Sequence, residues 1–308
     1  MTDKADPRPV VWITGANGFI GGHVAHVFRN NGWSVLGIDR APPADNVFPH
    51  IVASVDKAAL NEALARTGRP CAVFHGAGNG SVGRSISDPA MCRRDTLDST
   101  LRLLDFLLST APDCRLVFPS SAAVYGVASH ATLSEDLPPH PMSPYGEHKL
   151  AAEEACRAAG AAGQPVAMLR MFSVYGSGLR KQLPWELGRR LLAGENPVTL
   201  FGTGDEVRDF FCVEDAAQLI FHLATTPHPS PLVVNGGTGV PTTVAVFARL
   251  FAGALGVTPR ISFNGEIRPG DPPVYCADIR RLSGLGFQPN VALADGLTDY
   301  ARWLRSTS

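Results

Sequence analysis

The sequence lacks a charge imbalance and long apolar runs, and each absence excludes a class of protein. Its 308 residues carry 27 Lys and Arg against 28 Asp and Glu, so no strong basic field exists to attract nucleic acid. No apolar run reaches about 18 residues, the length that a membrane-spanning helix needs. The polar first nine residues do not resemble a signal peptide. We therefore expect a cytoplasmic protein that binds neither nucleic acid nor membranes.

Cysteine and histidine are present, but not in disulfide or metal-ligand patterns. The six cysteines are scattered without a C-x-x-C pair, and most lie in apolar stretches, which is typical of reduced core thiols. His23 and His26 could share a helical face, but no acidic or thiol ligand follows at a useful spacing. The sequence thus predicts no metal site.

Strand and helix patterns alternate along the first half of the chain. Residues 10–14 form an apolar run that ends in glycines, and residues 18–31 then carry apolar side chains at helical spacing. Further strands are predicted at 34–39, 72–75, 115–119 and 166–170, and a long helix at about 89–108. This alternation predicts an α/β fold with a doubly wound parallel sheet of the Rossmann type.

The composition of the sequence changes after about residue 170. Pro and Gly become frequent, and predicted helices at 184–193 and 293–304 alternate with short strands. We predict a dinucleotide-binding domain at residues 1–176, to which 209–238 return. Residues 177–308 are expected to form mainly a smaller substrate-binding lobe at the carboxyl edge of the sheet, where open α/β sheets bind ligands.

A glycine-rich turn follows the first predicted strand. The spacing Gly15-x-x-Gly18-x-x-Gly21 allows a tight turn, close backbone approach to a pyrophosphate and a helix N-terminus directed at its charge. The residues of this turn that we expect to bind the cofactor are Gly15, Asn17, Gly18, Phe19, Ile20 and Gly21. At the end of a later strand, His75, Gly76 and Ala77 offer backbone N–H groups to the same cofactor.

Asp39 ends the second predicted strand, 18 residues after Gly21. A carboxylate at this place accepts hydrogen bonds from a ribose 2′-OH and repels a 2′-phosphate. We therefore predict NAD as the cofactor. Arg40 follows directly and would offer a partner to the phosphate of NADP, so that alternative stays open.

Tyr145 and Lys149 lie four residues apart, on one face of a predicted helix. A nearby ammonium favours the phenolate, and moving a phenol pKa from about 10 to about 7 needs about 4 kcal/mol. The turn Ser120-Ser121-Ala-Ala-Val-Tyr-Gly precedes them by some 20 residues. The hydroxyl of Ser121 can bond a substrate hydroxyl being oxidised while Tyr145 takes its proton, and Lys149 holds the ribose of the cofactor.

These motifs occur in a known order. The chain resembles the extended short-chain dehydrogenase/reductase family, in its NAD-dependent nucleotide-sugar epimerase/dehydratase group, which includes UDP-glucose 4-epimerases. The resemblance runs from about residue 10 to about residue 300. The matching segments are Thr14 to Gly21, Ser120 to Gly126, Ser143 to Lys149, Gly202 to Phe210 and Arg268 to Asp271.

The resemblance implies roles for individual residues. Ser121, Tyr145 and Lys149 would be the catalytic set, and Arg208 and Arg268 would bind the diphosphate of a nucleotide sugar. It also implies a homodimer that packs through the helices at about 89–108 and 146–159. In the family, the residue aligned with Tyr275 lines the sugar pocket, and a ring there would exclude 2-acetamido groups.

The chain departs from the family pattern at several positions. Many members have Asp followed by a hydrophobic residue at the end of the third strand, where the pair contacts adenine; this chain has Ser54 and Val55. Ser173 stands where UDP-galactose epimerases usually carry Asn in the substrate site. Ala122 and Ala123 follow Ser121, where dehydratases use an Asp-Glu pair for elimination. Dehydration is therefore not expected.

Three functions remain open from the sequence. The first is an NAD-dependent epimerase that oxidises C4 of a nucleotide-activated hexose to a 4-keto intermediate and returns the hydride to the other face. The second is an NAD(P)H-dependent reductase of a nucleotide-activated 4-keto-6-deoxyhexose that uses the same residues. The third is a redox-sensing binding protein without turnover, which has no need of Ser121, Tyr145 and Lys149 together.

Overall fold

The computed structural model describes residues 8–43, 47–127, 131–266 and 272–307. Its strands are β1 (Val10–Thr14), β2 (Ser34–Asp39), β3 (His50–Val52), β4 (Ala72–His75), β5 (Arg115–Ser121), β6 (Val166–Met171), β7 (Ser173–Tyr175), β8 (Val198–Leu200), β9 (Val207–Arg208), β10 (Phe210–Cys212), β11 (Leu232–Gly236), β12 (Thr242–Thr243), β13 (Ile261–Phe263) and β14 (Val274–Tyr275). Its α-helices are α1 (Phe19–Asn30), α2 (Lys57–Thr67), α3 (Val82–Ser87), α4 (Pro89–Arg93), α5 (Ser99–Thr110), α6 (Pro144–Ala161), α7 (Gln182–Leu192), α8 (Val213–Thr225), α9 (Val244–Ala254), α10 (Arg280–Gly284) and α11 (Leu293–Ser306).

The chain divides into two compact units by its internal contacts. The first unit comprises Met1–Val124, Pro141–Arg170 and Ala217–Val234, and the second comprises Tyr125–His140, Met171–Ala216 and Asn235–Ser308. Our division at residue 176, with a return at 209–238, stays a prediction. The contact-based division also returns the chain to the first unit, over Ala217–Val234, but it assigns residues 125–140 to the second.

A seven-stranded sheet forms the centre of the first unit, in the order β11-β6-β5-β4-β1-β2-β3. The pairs β1–β2, β1–β4, β2–β3 and β4–β5 are parallel. Strands β1, β4 and β5 are almost wholly buried, as expected for strands covered by helices on both faces. The chain direction around the sheet reverses beside β1, and this is the point where doubly wound sheets bind ligands. The predicted fold is confirmed.

The predicted helix at 89–108 is interrupted. A π-helical turn, Arg94–Asp98, separates α4 from α5. Around it, the hydroxyls of Ser99 and Thr100 donate to the carbonyls of Asp95 and Thr96, at 2.6 and 2.7 Å. Hydroxyls that bond to the preceding turn compete with the regular helical ladder, and the sequence periodicity does not reveal this competition.

The second unit contains three small sheets and a cluster of aromatic rings. Its sheets are β10–β7, β12–β9–β14 and β13–β8. The rings of Phe210 and Phe247 stack at 4.1 Å between centroids, and Phe251 stacks on Tyr300 at 5.4 Å. Helix α7 covers the helix predicted at 184–193 except for its last residue, and α11 includes the helix predicted at 293–304.

Some observations concern the whole of the described chain. No helix among the described residues is long and apolar enough to cross a membrane. The same residues contain no group of three or more His, Cys, Asp or Glu side chains placed to hold a metal ion. All six cysteines are free, and all except the exposed Cys71 are buried.

Candidate active site

The glycine turn between β1 and α1 is tightly packed against the end of β4. Gly15 has φ +69°, and a Cβ there would lie 2.6 Å from the carbonyl carbon of Gly76. A Cβ on Gly21 would collide with the carbonyl oxygen of Gly15. Both positions therefore require glycine. Gly18 is the N-cap of α1 and makes no side-chain capping bond, so its helix presents its N-terminus without a competing side chain.

Asp39 supports the glycine turn from the end of β2. One carboxylate oxygen accepts from the N–H of Asn17 and the other from the N–H of Ala41, each at 3.0 Å. Asp39 is half-buried, and each oxygen retains a lone pair for a ribose hydroxyl. The guanidinium of Arg40 is 3.1 Å from the carboxylate of Asp95, which gives it a partner other than a 2′-phosphate.

His75 is buried at the end of β4 and holds the backbone beside the glycine turn. Its Nδ1 is 2.7 Å from the hydroxyl of Thr14, and that hydroxyl accepts from the N–H of Ala77 at 3.1 Å. Burial lowers the pKa of His75 to about 3, with help from the positive charges of Lys149 and Arg102. The imidazole is therefore neutral.

Ser54 and Val55 follow β3. Ser54 is exposed, whereas the side chain of Val55 is buried in the core of the first unit. The carbonyl of Val55 accepts from Nε of Arg102 at 3.0 Å. Only the Ser54 side chain and the backbone of this segment are thus accessible to an adenine ring.

Helix α6 begins at Pro144, directly before Tyr145. Ser143 is the N-cap and accepts from the N–H of Gly146 at 3.2 Å, and Pro144 occupies the first turn. A Cβ on Gly146 would lie 2.7 Å from the carbonyl oxygen of Ala123. Glycine therefore allows the start of α6, and with it Tyr145, to approach the turn that follows Ser121.

The structure brings the three predicted catalytic residues together within the first unit. Tyr145 and Ser121 share a hydrogen bond that acts to lower the pKa of the phenol, but burial dominates and raises it above its ordinary value. Burial thus outweighs any lowering by Lys149, and the lowering that we expect from Lys149 together with a bound nicotinamide cation stays a prediction. Nζ of Lys149 lies 6.0 Å from the ring centroid of Tyr145 and donates to the carbonyl of Pro119, at 2.6 Å.

The second unit holds three of the predicted substrate residues. Arg208 of β9 pairs in register with Tyr275 of β14, and its guanidinium lies 5.8 Å from the centroid of that ring. Arg208 also donates to the carbonyl of Pro272 at 2.9 Å. Ser173 begins β7, and its N–H bonds to the carbonyl of Asp209 at 2.9 Å. Arg268 lies outside the described residues.

The arrangement in the first unit fits a dinucleotide. A helix N-terminus without a side-chain cap suits a pyrophosphate, and the glycines leave no Cβ between backbone and ligand. The Asp39 carboxylate can accept ribose hydroxyls, and the buried ammonium of Lys149 is a donor. Residues Gly15, Gly18, Gly21, Asp39 and Lys149 would hold NAD, which supplies the acceptor and donor of a hydride when it is bound.

Sequence reasoning missed Glu153, which is completely buried one helical turn after Lys149. It accepts from Ser120 and forms an ion pair with Arg170. A signal existed in the sequence: Tyr145, Lys149 and Glu153 repeat at intervals of four on one face of α6. A glutamate in a helix is usually exposed, so the spacing alone does not reveal that it is buried.

Comparison with known proteins agrees with this geometry. The sequence profile of the NAD dependent epimerase/dehydratase family matches residues 11–237. The chain is 31% identical to the UDP-glucose 4-epimerase of Azospirillum brasilense, over 99% of this chain and 95% of that protein.

Solved structures are similar over nearly the whole chain. MoeE5 in complex with UDP-glucose and NAD is 34% identical and has a TM-score of 0.86, over 96% of this chain and 99% of its own. The UDP-glucuronic acid 4-epimerase of Bacillus cereus, in complex with UDP-glucuronic acid and NAD, is 26% identical with a TM-score of 0.87, over 97% and 100% of the two chains.

These similarities confirm the predictions of an enzyme and of NAD as its cofactor. The glycine turn and the four-residue spacing of Tyr145 and Lys149 fit the same conclusion. Because the profile match spans most of its length, the chain belongs to the NAD-dependent epimerase/dehydratase family.

Proposed function

We propose that this protein is an NAD-dependent 4-epimerase of a UDP-activated hexose. The observation that carries the proposal is the hydrogen-bonded pair of Ser121 and Tyr145, on the same unit as the glycine turn and beside Lys149. The nucleotide is proposed from the relatives, which include UDP-glucose and UDP-glucuronic acid epimerases.

The residues of the first unit can perform both half-reactions. The hydroxyl of Ser121 bonds to the oxygen on C4 of the sugar, and Tyr145 removes the proton from that oxygen during oxidation. After the 4-keto sugar has turned, Tyr145 returns the proton. Because burial raises the pKa of Tyr145, the neutral phenol dominates at neutral pH, so the oxidation half-reaction is expected to become faster as pH rises.

The residues after Ser121 argue against a dehydratase. A short 3₁₀ turn, Ala122–Val124, follows β5 and contains no titratable side chain. Elimination of water needs a general acid and a general base near the sugar. This segment provides neither, which supports epimerisation over dehydration.

A reductase of a nucleotide-activated 4-keto-6-deoxyhexose remains the second candidate, because a neutral Tyr145 is also a suitable proton donor. The two functions differ in their use of the cofactor. An epimerase regenerates NAD in every cycle, whereas a reductase consumes one reduced cofactor for each product.

We also propose a cytoplasmic homodimer that packs through the predicted ranges 89–108, which contains α4 and most of α5, and 146–159, which lies in α6. Leu101 and Leu108 support this proposal, because 45% and 37% of their surfaces are exposed on α5. The second unit would contact the nucleotide sugar through Ser173, Arg208 and Tyr275, and Arg268 keeps its predicted role there.

The test is a screen of UDP-, dTDP-, GDP- and CDP-hexoses with catalytic NAD, followed by separation of the C4 epimers. We expect turnover of at least one UDP-hexose without net formation of NADH. Oxidation of one NADH for each product formed from a 4-keto sugar, without epimerisation, would identify the reductase instead. Absence of epimerisation with every hexose contradicts the epimerase, and absence of NADH oxidation with every 4-keto sugar contradicts the reductase.

A further inference from the structure

We propose that the buried carboxylate of Glu153 is a positioning residue that acts through Ser120 to hold Ser121 and the carbonyl of Pro119 for Tyr145 and Lys149. The proposal rests on the proposed epimerase function only for the activity that it affects. Its geometric basis lies entirely within the first unit.

Glu153 accepts hydrogen bonds from three side chains, two of which lie on other elements of the first unit. The hydroxyl of Ser120 donates to one oxygen at 2.5 Å. Arg170 of β6 binds both oxygens, through Nε at 2.9 Å and Nη2 at 2.8 Å. Arg157, one turn further along α6, donates at 3.3 Å. The carboxylate thus connects α6 with the ends of β5 and β6.

The three central members of this network are sealed from solvent. Glu153 is 0% exposed, Arg170 is 1% exposed and Ser120 is 4% exposed. In such surroundings a bidentate pair between carboxylate and guanidinium has a fixed orientation. Removal of one partner would leave an uncompensated buried charge, so the position of Glu153 is strongly determined.

Ser120 lies in the chain between Pro119, whose carbonyl binds Lys149, and Ser121, whose hydroxyl binds Tyr145. On one side, the carbonyl of Pro119 accepts from Nζ of Lys149 at 2.6 Å. On the other side, Ser121 shares its hydrogen bond with Tyr145. Tyr145, Lys149 and Glu153 all belong to helix α6. The hydrogen bond from Ser120 to Glu153 therefore sets the position of Ser121 and of the Pro119 carbonyl relative to that helix.

Loss of the hydrogen bond from Ser120 to Glu153 would leave the end of β5 free to shift. Displacements of about 1 Å in a catalytic arrangement can reduce the rate by about 10²-fold. The Ser120 side chain is buried and bonds to Glu153, so it does not contact the substrate in this proposal. Its loss should therefore change kcat rather than KM.

The test uses Ser120→Ala in the full-length protein with bound NAD. Its matched control is Thr67→Val, which removes a hydroxyl that accepts from Nε1 of Trp12 at 2.9 Å at the other end of the same unit. We expect kcat for the UDP-hexose to fall about tenfold in the Ser120 variant, with KM within about twofold, and no change in the control. If Ser120→Ala does not fold, Ser120→Cys replaces it, because a thiol keeps the volume but donates weakly.

A second measurement does not need turnover. With ¹³C at Cζ of every tyrosine and the Tyr145 signal assigned from Tyr145→Phe, we expect that signal to shift in the Ser120 variant and not in Thr67→Val. An unchanged kcat or an unchanged Tyr145 signal overturns the proposal. If the wild type turns over no UDP-hexose, the proposed function fails by itself, and the tyrosine signal alone decides the role of Glu153.

Discussion

Each of the two units contains a completely buried carboxylate next to residues with a proposed function. In the first unit, Glu153 accepts from the side chains of Ser120, Arg157 and Arg170. In the second unit, Asp209 directly follows Arg208. It accepts from the N–H groups of Thr238, Gly239 and Ala277 and from the Thr238 hydroxyl, at 2.7–3.1 Å.

The difference between these carboxylates lies in the kind of partner. Glu153 is paired mainly with another side chain, so the charge and its counter-charge can be removed together. Asp209 is paired mainly with backbone N–H groups, which no substitution removes. A buried ion pair can often be replaced by apolar residues without loss of stability, whereas unpaired buried backbone donors always cost free energy. We therefore expect the first network to be replaceable for folding by a pair of apolar residues, and the second not.

The largest expected effect is on stability. Glu153→Gln leaves the buried guanidinium of Arg170 without its counter-charge and should lower the free energy of unfolding by about 3–5 kcal/mol. The double variant Glu153→Leu/Arg170→Met should recover more than half of that loss. Asp209→Asn should lose about 2–3 kcal/mol, because a charged acceptor of several N–H groups becomes a neutral one. Urea unfolding of the variants measures these values.

The comparison would fail in two ways. A double variant as unstable as Glu153→Gln would mean that the first network is also irreplaceable. An Asp209→Leu variant of wild-type stability would mean that the backbone donors around Asp209 find other partners.

The next largest effect is on kcat, which should depend on the tyrosine of the first unit and not on that of the second. Tyr145→Phe should reduce kcat by at least about 10²-fold, because no other described residue takes its place as acid and base, while NAD still binds. The matched control is Tyr300→Phe, which removes a buried hydroxyl that donates to the carbonyl of Leu179 in the second unit. The control should lose about 1 kcal/mol of stability and keep its kcat. Near-normal turnover by Tyr145→Phe would contradict the assignment.

A smaller effect is expected on substrate choice. If Tyr275 occupies the volume that a 2-acetamido group needs, overpacking should disfavour UDP-N-acetylglucosamine relative to UDP-glucose by about 1–3 kcal/mol. Tyr275→Cys should narrow this difference in kcat/KM, and Tyr275→Phe, which keeps the ring, should preserve it. Equal rates for the two sugars with the wild type would exclude the idea.

The smallest effect is on cofactor preference. Because Asp39 repels a 2′-phosphate and Arg40 is already paired with Asp95, NAD should bind at least about tenfold more tightly than NADP, or about 1.4 kcal/mol. Calorimetric titration of both dinucleotides measures this ratio. Arg40→Ala should leave NADP affinity unchanged. Equal affinities in the wild type would show that Arg40 compensates the carboxylate.

Much of the fold and of the site was readable from the sequence, because the signals are local. The bounds of β2 and β4 agree with their predicted ranges, since each is a short apolar run beside a turn. The glycine spacing after β1 predicts a turn that only residues without Cβ can form. The helical spacing of Tyr145 and Lys149 predicts that both side chains lie on one face.

Only the tertiary structure decided how these residues are supported and how they titrate. The partners of Glu153 are up to 33 residues away in the chain, and Lys149 bonds to a carbonyl 30 residues before it. No local pattern specifies such pairings. The pKa of Tyr145 moves in the direction opposite to the one expected from its lysine, because desolvation depends on everything packed around the phenol. The sequence by itself thus determined the main strands and helices, the glycine turn and the residue types proposed for catalysis. Packing between distant segments decided the charges and positions of these residues.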